Sequence, residues 1–175
     1  MLQKIFKQKG FTIIELMVCV SVISIGLIGV LSLVTQNIQA QSINKNSLIA
    51  AQLSQEGIEL VRNIRDKNWL TSGYSWKHGA GIGTDSDIIQ DGSYIIDYLT
   101  TINQDVNAID DDRAKFYLNS NGYYTHTSTA SSTVFSRLIS VSDNGDYVDI
   151  KSAVNWKEHG NNHSYVAEVY LYDWN

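Results

Sequence analysis

The sequence contains no proline and a single cysteine, Cys19. The absence of proline excludes a proline-rich linker, a collagen repeat or a mucin-like stalk, although 12 glycines are present. One thiol excludes an intrachain disulfide framework and any zinc site built from several thiolates. Positive charge is scarce in the larger part of the chain. From residue 68 onward six Lys or Arg stand against fourteen Asp or Glu, a net charge of −8 that repels phosphate backbones, so nucleic acid is not an expected partner of this part. Charge of either sign is missing between residues 11 and 34 apart from Glu15. No nucleophile elbow, Walker loop or His-Glu-x-x-His helix occurs, so neither a catalytic residue nor a cofactor is expected.

What is present is unevenly distributed. Lys4, Lys7 and Lys9 precede a 24-residue apolar run, close to the ~20 residues that a membrane span requires. Lysines before a span hold that end in the cytoplasm and direct the remainder outward. A secretory signal has a shorter apolar region, roughly 7 to 15 residues, and a small-x-small cleavage site, which Ile38-Gln39-Ala40 matches poorly. A lipoprotein signal is a poor match too, because Cys19 follows Val18 inside the apolar run.

Lys9-Gly10-Phe11-Thr12-Ile13-Ile14-Glu15-Leu16 resembles the cleavage and methylation motif of type IV prepilins and pseudopilins. That resemblance implies cutting after Gly10 by a membrane-embedded aspartyl peptidase on the cytoplasmic side. Phe11 becomes the first mature residue and is N-methylated, and Glu15 becomes the fifth. A carboxylate within an apolar helix costs on the order of 2 to 3 kcal/mol unless it meets a partner. The new amino group of Phe11, on the same chain or on a neighbouring subunit, is such a partner for Glu15. An interfacial glutamate in a simple anchor is the competing explanation.

Beyond residue 42 the helix continues in amphipathic form, with Ile49, Leu53, Leu60, Val61 and Ile64 on one stripe and Gln52, Gln55, Glu59, Arg62 and Asp66 elsewhere. It is expected to run from about Phe11 to Asp66, roughly 80 Å at 1.5 Å per residue, and Glu59 with Arg62 offers weak surface pairing. Residues 68 to 92 read as loop. Residues 94–99 and 115–118 are short strand candidates, and 134–141, 147–156 and 164–172 alternate as three longer strands. Asn144-Gly145 is a hairpin signal, and residues 158–162 around Gly160 are expected to form a second turn, closing an antiparallel meander. The fold class is therefore α+β. Docking of the helix on the sheet is implied by the pilin resemblance. This chain lacks both the C-terminal disulfide of many family members and the proline often found in the apolar helix half.

Several features carry weak chemical signals. The glycines of 79–83 lack the spacing and setting of a dinucleotide loop. His159 and His163 flank a predicted turn and read as solvated, and Asp85, Asp87 and Asp91 lack the bidentate glutamate of a calcium loop. Asp110-Asp111-Asp112 reads as a solvated acidic run, so no metal site is expected. Ten tyrosines and four tryptophans, all beyond residue 68, suit cross-strand packing, with Tyr147, Trp156 and Tyr165 as examples. A sugar-binding or adhesive aromatic surface is the sharper alternative. Gly26 and Gly29 lie mid-span without Gly-x-x-x-Gly spacing, next to Ser24 and Ser32, and mark the place where the helix is expected to loosen in a filament.

The expected organisation is a leader at 1–10, a transmembrane or filament-core helix at 11–41 and a head at 42–175. Within the head, the amphipathic helix half ends near 67, a loop spans 68–92 and antiparallel strands occupy 93–175. The resemblance implies a structural subunit, held in the bacterial cytoplasmic membrane by one span and then built into an extracellular homo-oligomeric helical filament. Prepilin peptidase and the pilus assembly machinery are the implied partners. A minor pilin or pseudopilin of a secretion or DNA-uptake system is the alternative, and a membrane-anchored binding domain is a third reading.

Overall fold

The computed structural model describes residues 10–72, 75–77, 91–99, 103–104, 106, 108–128 and 131–173. Lys4, Lys7, Lys9, the glycine run at 79–83, Asp85 and Asp87 lie outside the described residues. The chain divides into two compact units, 1–44 and 45–175.

Helix α1 spans Ile13–Leu70 without interruption. Thr12 starts it: its Oγ1 accepts the Glu15 N–H at 3.3 Å and its carbonyl accepts the Leu16 N–H at 3.1 Å. At the far end the helix runs one turn beyond the expected Asp66, so residues 68–70 are helical and not loop. Side chains there find partners that a loop would not secure. Asn68 Nδ2 donates to the Trp76 carbonyl at 3.1 Å, and the Arg65 guanidinium lies 4.8 Å from the Trp69 ring.

Within residues 45–175, Leu53, Ile58, Val61 and Ile64 form the buried stripe of α1, while Gln52, Gln55, Glu59 and Asp66 stay exposed. Ser54, Gly57, Arg65 and Asn68 are also buried, which the apolar periodicity did not indicate. Small side chains at 54 and 57 let the helix approach the sheet closely. Ser54 Oγ donates to the Ser152 carbonyl at 2.5 Å and accepts the Ala167 N–H at 2.9 Å. A Cβ on Gly57 would run into the Ser152 hydroxyl.

The sheet contains seven antiparallel strands: β1 (Gly92–Ile95), β2 (Asn103–Gln104), β3 (Lys115–Leu118), β4 (Tyr124–Thr125), β5 (Ser131–Asp143), β6 (Tyr147–Glu158) and β7 (Asn161–Tyr172). The meander β5–β6–β7 is as expected, with each strand longer than its alternating core. Gly145, at φ +86°, turns β5 into β6, and Asn144 N–H donates to the Tyr147 carbonyl at 2.9 Å. The second turn is tighter than residues 158–162. Glu158 already pairs with Asn161, so only His159 and Gly160, both at positive φ, remain as its centre. One edge of β5 is shared: β1 pairs with its end at 139–141 and β3 with its start at 131–136. β1 ends at Ile95 rather than residue 99, since Ile96 and Asp97 are buried beyond it in irregular backbone. β2 and β4, two residues each, have no sequence signature of their own.

Strand alternation places Val148, Ile150, Val154 and Trp156 inward from β6. One core cluster joins Ile58, Val61 and Ile64 to Ile139, Val141, Val148 and Ile150. A second joins Ala50 and Leu53 to Phe116, Phe135, Val154 and Trp156. Tyr147 and Tyr165 take little part in this core: Tyr147 meets Tyr170 edge-on and Tyr172 at a tilt across the strands, and Tyr165 is exposed.

Candidate functional site

The amino-terminal site is set by where α1 begins. Gly10 and Phe11 precede the helix in non-helical backbone, and the Phe11 side chain is 79% exposed. Glu15 occupies the first turn, three residues after Thr12, whose hydroxyl caps its N–H. The Thr-x-x-Glu spacing is the sequence signal for such a cap, and a carboxylate at this place is favoured by the exposed N–H groups and the helix dipole. Thr12 thus starts the helix through the Glu15 backbone N–H, and the Glu15 carboxylate has the role of a favourable charge at the helix N-terminus. That role is compatible with a second one toward an amino group.

From Ile13 to Val34 the apolar side chains are exposed, and the helix is long and apolar enough to cross a membrane. Its hydroxyls bond back to its own backbone. Ser21 Oγ donates to the Val18 carbonyl at 2.8 Å, Ser24 Oγ to Val20 at 2.7 Å and Thr35 Oγ1 to Ser32 at 2.8 Å, while Ser32 Oγ accepts from Gln36 Nε2 at 3.2 Å. The hydroxyls of Ser21, Ser24 and Thr35 thus find acceptors within the helix itself, as lipid demands. The helix continues through Gly26 and Gly29, and a Cβ at either would meet nothing within 4 Å. Cys19 is a free thiol on this exposed surface.

In the head, the densest polar cluster surrounds Arg137, a charge on the inward face of β5 between Phe135 and Ile139. It sits where β1 and β3 leave a gap along the strand edge. Only 1% of Arg137 is exposed. Its Nη1 donates to the Leu53 carbonyl at 2.7 Å, its Nη2 donates to the Ile96 carbonyl, and Glu56 Oε2 lies 3.6 Å from Nη1. Burial pulls its pKa down to about 10, against the nearby carboxylates of Glu56 and Asp97, so it remains a cation at neutral pH. Phe116 lies 4.7 Å from the guanidinium and carries the His126 ring stacked at 4.3 Å. Asp97 accepts from Thr125 Oγ1 at 2.7 Å and from the His126 N–H at 3.1 Å. His126 Nδ1 is 3.1 Å from the Lys115 carbonyl and so acts as donor there, leaving Nε2 buried without a partner. Burial, and then the Arg137 charge, lower its pKa to about 4. An inward-facing arginine amid apolar alternation was the available sequence signal for this cluster.

The weaker candidates resolve locally. His163 is not in a turn: it lies on β7 opposite Trp156 and stacks on it at 5.3 Å. His159 is in the turn, 3.8 Å from Glu158. Asp91 Oδ1 accepts the Asp143 N–H at 2.5 Å. Asp111 pairs with Arg113 at 2.8 Å and caps a short 3-10 turn, and the hydrogen bonds from Arg113 hold its carboxyl down to about 2. Asp112 pairs with Lys115 at 2.6 Å. Among the described residues no group of three or more His, Cys, Asp or Glu is placed to hold a metal ion.

Comparison with curated proteins and with solved structures yields no match. Residues 5–31 match the family model described as the prokaryotic N-terminal methylation motif, and the match spans Gly10, Phe11, Glu15, Gly26 and Gly29. The chain therefore carries the amino-terminal signal of a type IV pilin-like prepilin, followed by an apolar helix suited to membrane anchoring.

Proposed function

We propose that the chain is a structural subunit of a type IV pilus-like surface filament, cut by prepilin peptidase after Gly10, N-methylated at Phe11 and polymerised through its helix. The observation that carries this reading is the methylation motif running directly into an apolar helix whose side chains from Ile13 to Val34 are exposed among the described residues. Lipid covers that surface before assembly, and neighbouring helices cover it afterward. The exposed, non-helical Gly10-Phe11 bond suits a peptidase, which needs extended backbone. Cleavage creates a cation on Phe11, and pairing between that amino group and Glu15 of a neighbouring subunit would set each new subunit in register. Gly26 and Gly29 are the proposed point of loosening in the filament, since each weakens a helix by about 1 kcal/mol relative to alanine.

N-terminal peptide sequencing and intact mass of the surface protein test the processing step. A mature chain beginning at methylated Phe11 is expected, and a surface protein retaining Lys4 to Lys9 would refute the reading. Glu15→Ala is expected to insert in the membrane and to depress filament yield, with normal filaments counting against charge pairing. Unbroken helical hydrogen bonding from Ile23 through Ser32 in a filament map would rule out loosening at the glycines.

A further inference from the structure

A groove of about 250 Å³ opens on the head, lined by Glu56, Tyr98, Gly122, Tyr123 and Tyr124. Its aromatic wall is exposed yet fixed. Tyr98 and Tyr123 are 40% and 60% exposed, with ring centroids 5.5 Å apart and planes tilted by 49°. Asn119 holds both: its Nδ2 donates to the Tyr98 hydroxyl at 2.6 Å, and its Oδ1 accepts the N–H groups of Asn121 and Tyr123, each at 2.9 Å. The Asn119 N–H also donates to the Tyr123 carbonyl at 3.0 Å, and Gly122 turns the chain at φ +82°. Tyr124 is braced from behind, edge-on to Phe116 at 5.9 Å and to Phe135 at 6.1 Å. Aromatic surface left in water on a pre-ordered turn loses little further entropy when it meets a ligand.

The electrostatics select among ligand classes. An anion meets the Glu56 carboxylate and the acid excess of the head. A cation gains little, because the buried Arg137 charge stands 3.6 Å from Glu56 Oε2 and already balances it. A neutral molecule with one apolar face and several hydroxyls uses everything the groove offers: C–H groups against a tyrosine ring and hydroxyls donating to Glu56 Oε1, which bonds to nothing among the described residues. Charge-assisted hydrogen bonds of this kind are stronger than neutral ones. We propose that this groove binds a neutral pyranose sugar, stacked on Tyr123 and hydrogen-bonded by Glu56. The site belongs to the head alone and is independent of whether the chain polymerises.

The test uses the full chain in micelles of a detergent without a sugar headgroup. Saturation-transfer NMR is recorded with the methyl pyranosides of glucose, galactose, mannose and N-acetylglucosamine at millimolar concentration. At least one is expected to receive saturation through its ring C–H protons. Tyr123→Ala and Glu56→Gln should each weaken it by about tenfold or more, a change of roughly 1.4 kcal/mol. Tyr123→Phe should retain binding, as should Tyr172→Ala, an exposed aromatic outside the groove. Tyr123 lies on the surface, so far-UV circular dichroism and the thermal midpoint of its variant should match the parent and keep a binding loss interpretable. No transfer to any of the four sugars would overturn the proposal, as would undiminished transfer in Tyr123→Ala or displacement of the sugar by tetramethylammonium or methyl phosphate.

Discussion

Two stretches of α1 make opposite use of the same backbone. Residues 13–44 expose nearly every apolar side chain, whereas residues 45–70 bury an apolar stripe against the sheet of their own chain. Helical propensity does not distinguish them, for the helix is continuous. The difference lies in who supplies the partner surface. The first stretch needs lipid or other subunits, while the second carries its partner in β5, β6 and β7. Substitutions in the first should therefore register in insertion and assembly, and substitutions in the second in the stability of the head.

The largest expected effect is at Arg137. Removing it as Arg137→Met strands the carbonyls of Leu53 and Ile96 and leaves Glu56 without its counter-charge. Leaving a buried acceptor unpaired costs about 1 to 3 kcal/mol, and here two carbonyls lose their donor. Denaturant unfolding followed by tryptophan fluorescence should show that loss, with membrane insertion of residues 13–34 unchanged. A head as stable as the parent would mean that the guanidinium is not the keystone of the β1–β5–β3 junction.

Acid should also separate the two stretches, through His126. Its folded pKa, about 4, is depressed below the ordinary 6.5, so the unfolded chain binds more protons between these values. The neutral ring's contribution is complete above pH 6.5 and is lost as pH falls toward 4. The expected loss is on the order of 2 to 3 kcal/mol. Protonation at Nε2 charges a buried ring and, second, puts another cation near Arg137, and these are the physical sources of the slope. Stability measured from pH 7 to pH 4 should fall less steeply in His126→Gln. Identical slopes would assign the acid limb to other groups.

One substitution type should destabilise the head from one stretch and not from the other. Alanine at Gly57 meets the Ser152 hydroxyl, with Ile139 Cδ1 and Ser152 Cβ both 3.2 Å away, so Ser152 must rotate or helix and sheet must move apart. Overpacking costs about 1 to 3 kcal/mol, and gained helix propensity returns about 1. Alanine at Gly29 meets nothing within 4 Å and keeps only the propensity gain. Thermal melts of the head should drop for Gly57→Ala and stay level for Gly29→Ala.

How much of this was legible in the sequence follows from the range of the signal. The apolar run, the amphipathic stripe, the three long alternating strands and the Asn144-Gly145 turn are local patterns, and each appears in the structure. Those that were missed depend on distant partners. β2 and β4 exist because β1 and β3 offer edges to them. Residues 68–70 stay helical because Asn68 reaches Trp76. His163 reads as a turn residue until the two-residue turn shifts it onto β7 opposite Trp156. At the amino terminus the motif residues are legible one by one, and the structure adds the cap at Thr12 that starts α1.

The smallest expected effect concerns one of two ion pairs made by carboxylates of α1, the other being the pair of Glu56 with Arg137 on β5. Arg62 Nη1 is 2.6 Å from Glu59 Oε1, shorter than the 3.6 Å between Arg137 and Glu56, and distance alone would rank it the stronger. Burial of Arg137 reverses the order, for its side chain is 1% exposed even though Glu56, at 37%, is as open as Arg62. The Arg62 and Glu59 side chains are 37% and 56% exposed, so water screens the pair and two long side chains must be held in one geometry. Glu59→Ala should cost about 0.5 kcal/mol or less, and added salt should erase even that. A double-mutant cycle over Glu59 and Arg62, run at low and high ionic strength, measures the coupling directly. Coupling above about 1 kcal/mol that persists in salt would show that this face of α1 is shielded from water, placing a partner surface over the side of the helix opposite the sheet.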